Sequence, residues 1–147
     1  MTSTGNDPSA TSQFSAVAGS ADTGEIDARR VGMSPDDYAA VQALPPFSAL
    51  LLVQKGPNMG ARFLLDSEST MAGRHPKSDI FLDDVTVSRQ HCEFLRYEGA
   101  FYVRDHGSLN GTYVNRERID EIALETGDEV QIGKYRLTFH DSPNRVQ

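Results

Sequence analysis

Between Phe47 and Asp141 the apolar residues fall in short runs, not at helical spacing. Ala49 to Val53 is a continuous apolar run that ends at the turn cluster Gly56-Pro57-Asn58. Ala61, Phe63 and Leu65 alternate with Arg62 and Leu64. Cys92 and Phe94 alternate with Glu93 and Leu95 before Glu98-Gly99 breaks the run. Phe101 to Arg104, Thr112 to Val114, Val130 to Ile132 and Tyr135 to Phe139 complete the series, punctuated at Gly107, Gly111, Gly127 and Gly133. Many short alternating strands between glycine-rich turns predict an all-β sandwich or barrel. There is no internal repeat and no long helix in this part of the chain.

The pattern changes at Pro45-Pro46. Residues 1–46 hold six acids against two bases (Arg29 and Arg30) and four of the seven prolines. Their large apolar residues are scattered, and such a segment buries too little surface to offset its ordering entropy. The reading is a disordered tail over 1–46, a folded domain over 47–141 and a short C-terminal tail over 142–147. One stretch could be helical. Ser34-Pro35-Asp36-Asp37 is a cap with proline at the first helical position, and Tyr38, Val41 and Leu44 follow at helical spacing. A helix this short is marginal alone, so a transient turn is favoured over a docking element.

Composition narrows the function. The chain of 147 residues carries a formal charge of −7, which argues against a protein that lives on attraction to nucleic-acid phosphates. No apolar run approaches the roughly 18 residues a membrane span needs. A lone cysteine, Cys92, cannot form an internal disulfide; in register with Phe94 it reads as a buried thiol. The expectation is a cytoplasmic chain that binds neither nucleic acid nor membrane. His75, His91, His106 and His140 show no metal-like pair spacing, so no metal or cofactor is expected. Pro76 replaces the glycine a phosphate-binding Lys77-Ser78 would need, and His106 the glycine a nucleophilic Ser108 would need. No enzyme chemistry is indicated.

Three loop segments remain: Gly73-Arg74-His75, Val87-Ser88-Arg89-Gln90-His91 and Gly107-Ser108-Leu109-Asn110-Gly111-Thr112. Singly, each reads as turn chemistry, since Asn-Gly is a common hairpin signal. Together they supply guanidinium, hydroxyl and amide donors with only Asp105 at their edge as a carboxylate. A donor set without acceptors suits an anionic ligand such as a phosphate.

The order Gly73-Arg74, Ser88 to His91, Asn110-Gly111 resembles the signature of the forkhead-associated (FHA) family. The resemblance covers roughly residues 47–141 and implies an eleven-stranded β-sandwich that reads phosphothreonine in extended peptides. It implies that Arg74, Ser88 and Arg89 hold the phosphate. Asn110 would hold the peptide main chain and Leu109 would contribute loop backbone. Gly73, His91, Gly111 and Thr112 would shape the loops. Ala72 to Arg89, Gly107 to Arg116 and Gly127 to Lys134 are similar, nearly residue for residue, to the small actinobacterial FHA regulators of glycogen accumulation and oxoglutarate dehydrogenase. That likeness implies a monomeric switch. The unphosphorylated domain would bind 2-oxoglutarate dehydrogenase (decarboxylase) and glutamate dehydrogenase. A Ser/Thr protein kinase would then phosphorylate the tail, which occupies the pocket in their place. The family tail carries Glu-Thr-Thr-Ser-Val-Phe. Here Ala10-Thr11-Ser12-Gln13-Phe14 keeps only the second threonine, making Thr11 the expected acceptor and Thr23, with Ile26 three residues on, the runner-up. The competing reading is a general phosphothreonine adaptor in kinase signalling.

Overall fold

The computed structural model describes residues 33–144; the expected disorder before residue 33, Thr11, Thr23 and residues 145–147 lie outside it. Among the described residues one short helix, α1 (Pro35–Gln42), precedes eleven strands. They are β1 (Ala49–Lys55), β2 (Arg62–Leu65), β3 (Ser69–Gly73), β4 (Ile80–Phe81), β5 (Cys92–Tyr97), β6 (Ala100–Asp105), β7 (Thr112–Val114), β8 (Glu117–Ile119), β9 (Glu121–Ala123), β10 (Glu129–Ile132) and β11 (Tyr135–Asp141). They form a six-stranded sheet, β2-β1-β11-β10-β7-β8, and a five-stranded sheet, β4-β3-β5-β6-β9. All pairings are antiparallel except β3 with β4.

Alternation drives the sandwich. Leu51 and Val53 of β1, Val130 and Ile132 of β10, and Leu137 and Phe139 of β11 meet Ala72, Phe94 and Val103 of the other sheet in one buried cluster. Phe101 and Phe139 pack as tilted rings with centroids 5.6 Å apart. Cys92 is fully buried in this core, and burial pushes its thiol well above the ordinary range. Seven strands match the predicted runs. The other four lack a readable alternation. β4 has two residues, β8 and β9 are outer strands with exposed residues, and β3 turns only Thr70 and the small Ala72 and Gly73 inward.

The domain begins earlier than the composition break suggests. The Ser34 side chain accepts the Asp37 N–H at 3.0 Å, and Pro35 occupies the first turn. Val41 and Leu44 then pack on Leu50 and Leu52, the outward-facing residues of β1. That second cover explains why β1 is apolar at every position from Ala49 to Val53. The C-terminus is drawn in as well. Ser142 Oγ donates to the Leu44 carbonyl at 2.9 Å, and Asn144 Nδ2 donates to the carbonyls of Gln42 and Leu44. Residues 33–46 and 142–144 are therefore packed parts of the domain. Residues 33–46 read as tail by composition, whereas here Val41 and Leu44, with Met33 and Ala40 beside them, pack on β1.

Candidate functional site

The loops after β3, before β5 and between β6 and β7 converge at one end of the sandwich. Gly73 closes the first approach. A β-carbon there would lie 2.1 Å from the Arg89 carbonyl oxygen, so only glycine fits. Beyond it, the N–H groups of Arg74 and His75 donate to the carbonyls of Ser88 and Arg89 at 2.9 and 3.2 Å. Arg74 Nε donates to the Val87 carbonyl at 3.2 Å, which fixes the stem of an exposed guanidinium. Among the described residues no carboxylate lies within ion-pair distance of Arg74 or Arg89.

His91 is fully buried and ties two loops together. Its Nδ1 accepts the Ser88 N–H at 3.0 Å, so Nε2 carries the hydrogen and donates to the Gly111 carbonyl at 2.9 Å. Burial holds its pKa below the ordinary value, against the opposing pull of the Gly111 carbonyl and the Asp105 charge. Ser88 Oγ accepts the Leu109 N–H at 3.0 Å, which leaves its own hydroxyl hydrogen free to donate outward.

Asn110 is exposed, and its Nδ2 donates to the Thr86 carbonyl at 2.9 Å. Among the described residues its side-chain carbonyl and second N–H take no partner. Leu109 is 86% exposed beside it. Gly111 has φ +84°, and a β-carbon there would press on the Arg118 guanidinium at 2.8 Å. Thr112 faces inward, donating to Asp105 at 2.7 Å.

Two carboxylates build this scaffold. Asp105 accepts the Ser108 N–H at 3.1 Å and the hydroxyls of Ser108 and Thr112. Burial pushes its carboxyl up, but these hydrogen bonds outweigh it and hold the pKa below the usual range. Asp84 accepts both the N–H and the hydroxyl of Thr86, and Thr86 Oγ1 in turn accepts the Lys134 N–H at 3.0 Å. Sequence reasoning left Asp84, Thr86 and Ser108 out of the site. The spacings Asp84-x-Thr86 and Asp105-x-x-Ser108, both common turn-forming patterns, carry the signal that could have found them.

Hydrogen bonds between these loops thus bring Arg74, Ser88, Arg89 and Asn110 to one end of the sandwich, where among the described residues no carboxylate pairs with either arginine. The FHA domain family model matches residues 70–133, the span that contains every one of these loops. The glycogen accumulation regulator GarA of Mycolicibacterium smegmatis is 59% identical over 81% of this chain and 75% of its own length. This chain belongs to that family of FHA regulators. The oxoglutarate dehydrogenase inhibitor of Corynebacterium glutamicum is 62% identical over 76% of this chain and 78% of its own. Among solved structures, a domain described in an analysis of phosphothreonine-dependent FHA interactions aligns with TM-score 0.58 at 27% identity, over 68% of this chain and 97% of that one. Mycobacterium tuberculosis EmbR in complex with a low-affinity phosphopeptide aligns with TM-score 0.61 at 30% identity, over 68% of this chain and 26% of that one. FHA domains bind phosphothreonine, and this chain is an FHA regulatory protein. No helix among the described residues is long and apolar enough to cross a membrane.

Proposed function

We propose that this protein is a phosphothreonine-operated inhibitor of enzymes at the 2-oxoglutarate branch of metabolism, acting in the cytoplasm as a monomer without catalysis of its own. The carrying observation is the donor-only cluster. In this reading the exposed Arg74 guanidinium pairs with phosphate oxygens in a planar fork that lysine cannot copy. The free Ser88 hydroxyl hydrogen adds a charge-assisted bond, and Arg89 adds a second cation. Asn110 takes the peptide main chain while the Leu109 backbone supports the loop. Gly73, His91, Gly111 and Thr112 hold these groups in place.

The inhibitor names of the relatives support 2-oxoglutarate dehydrogenase as the partner; we add glutamate dehydrogenase as a second target at the same metabolic node. The unphosphorylated domain binds such an enzyme. Phosphorylation of Thr11 by a Ser/Thr protein kinase sends the tail into the pocket and ends that binding; Thr23 is the second candidate. The test is capture from lysate with the unphosphorylated full chain. Recovery of either dehydrogenase, lost after kinase treatment, supports the proposal. Recovery of phosphorylated proteins alone points to the adaptor reading instead.

A further inference from the structure

One row of residues crosses the outer face of the six-stranded sheet at the loop end. Lys55 stands opposite Arg136, Arg136 opposite Gln131, Gln131 opposite Tyr113, and Tyr113 opposite Arg118. Arg136, Gln131 and Tyr113 each lie between two buried neighbours, so their side chains project outward. Five strands at about 4.8 Å spacing make the row roughly 19 Å wide. The same face further along β1 is covered by α1 over Leu50 and Leu52; the row is left open among the described residues.

The charge along this row has no internal answer. Among the described residues none of Lys55, Arg136 and Arg118 lies within ion-pair distance of a carboxylate. Glu129, two residues before Gln131 on the same face, stands 3.7 Å from Arg116. Lys55 and Arg136 are like charges paired across neighbouring strands, just past a register shift between Val53 and Lys55. They stand uncompensated in a chain of net charge −7. The row also runs into the phosphothreonine loops. The Arg118 guanidinium lies against Gly111, and the N–H of Lys134, two residues before Arg136, donates to Thr86 at 3.0 Å.

We infer that this row is a second docking strip for the phosphothreonine ligand, taking an acidic stretch that flanks the phosphorylated residue. The inference rests on the pocket reading above. About six extended residues span such a width, at roughly 3.3 Å each. Their carboxylates would meet Lys55 and Arg136 at one end and Arg118 at the other. The Gln131 amide and Tyr113 hydroxyl lie between as neutral donors. Specificity then comes from ligand charge outside the loops, with the phosphate supplying the anchor.

The test measures fluorescence anisotropy of the full unphosphorylated chain with synthetic phosphothreonine peptides. One has neutral flanks, and two others carry four glutamates before or after it. Exposed ion pairs are individually weak, so three of them should tighten binding by about tenfold at low salt for one acidic peptide, a gain that shrinks near 0.5 M salt. Lys55→Gln/Arg136→Gln should lose most of that gain and bind the neutral peptide as the parent does, which also shows that the pocket is folded. Equal affinity for all three peptides, or an undiminished gain in the double variant, overturns the strip alone. Failure of the neutral peptide to bind the parent overturns the pocket reading and the strip with it. An unphosphorylated glutamate peptide or a single-stranded oligonucleotide that binds the row as tightly overturns the assigned occupant.

Discussion

His91 Nδ1 accepts the backbone N–H of Ser88 at 3.0 Å, so His91 cannot be protonated there without releasing the loop that carries Ser88. Burial sets its folded-state pKa below the ordinary 6.5. As pH falls, the unfolded chain therefore takes up the proton first. The stabilisation is complete above about 6.5 and is lost as pH falls through the depressed folded value. His140, depressed chiefly by burial as well, adds to the same slope. The thermal midpoint of the ligand-free protein should be flat above neutrality and drop as pH falls from 6.5. Long-range nitrogen–proton NMR should show the Nε2–H form of His91 persisting below 6.5. Protonation of that ring at or above 6.5 would contradict the arrangement.

Gly73 makes the closest backbone approach at the site, and the group a β-carbon would strike is the Arg89 carbonyl, not a flexible side chain. Gly73→Ala should cost about 1–3 kcal/mol of stability through overpacking. Phosphopeptide affinity should fall further than stability, because the displaced segment carries both Ser88 and Arg89. Denaturant melts and peptide titration separate the two effects. An alanine variant with parental affinity would show that the loop yields without consequence.

In the proposed pocket, Arg74→Ala and Ser88→Ala would each remove a hydrogen bond to a charged phosphate, worth about 1.5–3 kcal/mol, or roughly 10- to 150-fold in affinity. Arg74 is exposed and Ser88 half-buried, so both variants should stay folded, losing at most about 1 kcal/mol with the bonds to the Val87 carbonyl and from the Leu109 N–H. Titration with a phosphothreonine peptide checks the first number and circular dichroism the second. Retained affinity in folded Arg74→Ala would remove it from the pocket.

The sandwich was legible where strands bury one face. Val130 announces itself because its neighbours Glu129 and Gln131 are polar. β8 and β9 were not, because as outer strands their residues are largely exposed and alternation marks nothing. The site's donors were legible as residue types, since Arg74, Ser88 and Asn110 stand out among turn residues. Their support was harder to see. Asp84 and Asp105 look like ordinary turn acids until the fold brings Thr86 beside Lys134 and Thr112 beside Asp105. The helical spacing of α1 was legible but its docking was not, because acids and prolines dominate its surroundings and its apolar contacts with β1 are few.

That helix gives the fourth prediction. Leu44 is 5% exposed and its carbonyl accepts from Ser142 and Asn144. Leu44→Ala should destabilise the domain by about 2–4 kcal/mol. Limited proteolysis of the parent should leave a core that still contains Ser34 to Leu44. Cleavage at Pro45–Phe47 as the first event would mean that α1 does not stay docked.

The anchored helix also shortens the tether in the proposed switch. The chain between Thr11 and the cap at Ser34 is about 23 residues. A random coil of that length would span roughly 25–30 Å on average. β1, which runs from beneath α1 toward the loop end, is seven residues and therefore about 23 Å long. Reach is not limiting, and a tether of this kind gives a local concentration in the millimolar range, so even a weak site would fill. Phosphate adds about −1.5 to −2 charge, which Arg74 and Arg89 can meet without a competing carboxylate. Amide NMR of protein phosphorylated at Thr11 should therefore show shifts at Arg74, Ser88 and Asn110 that do not change with protein concentration and vanish in Ser88→Ala. Shifts that grow with concentration would make the contact intermolecular. Unmoved loop signals would leave Thr11 without a role and turn attention to Thr23, where the same measurement applies.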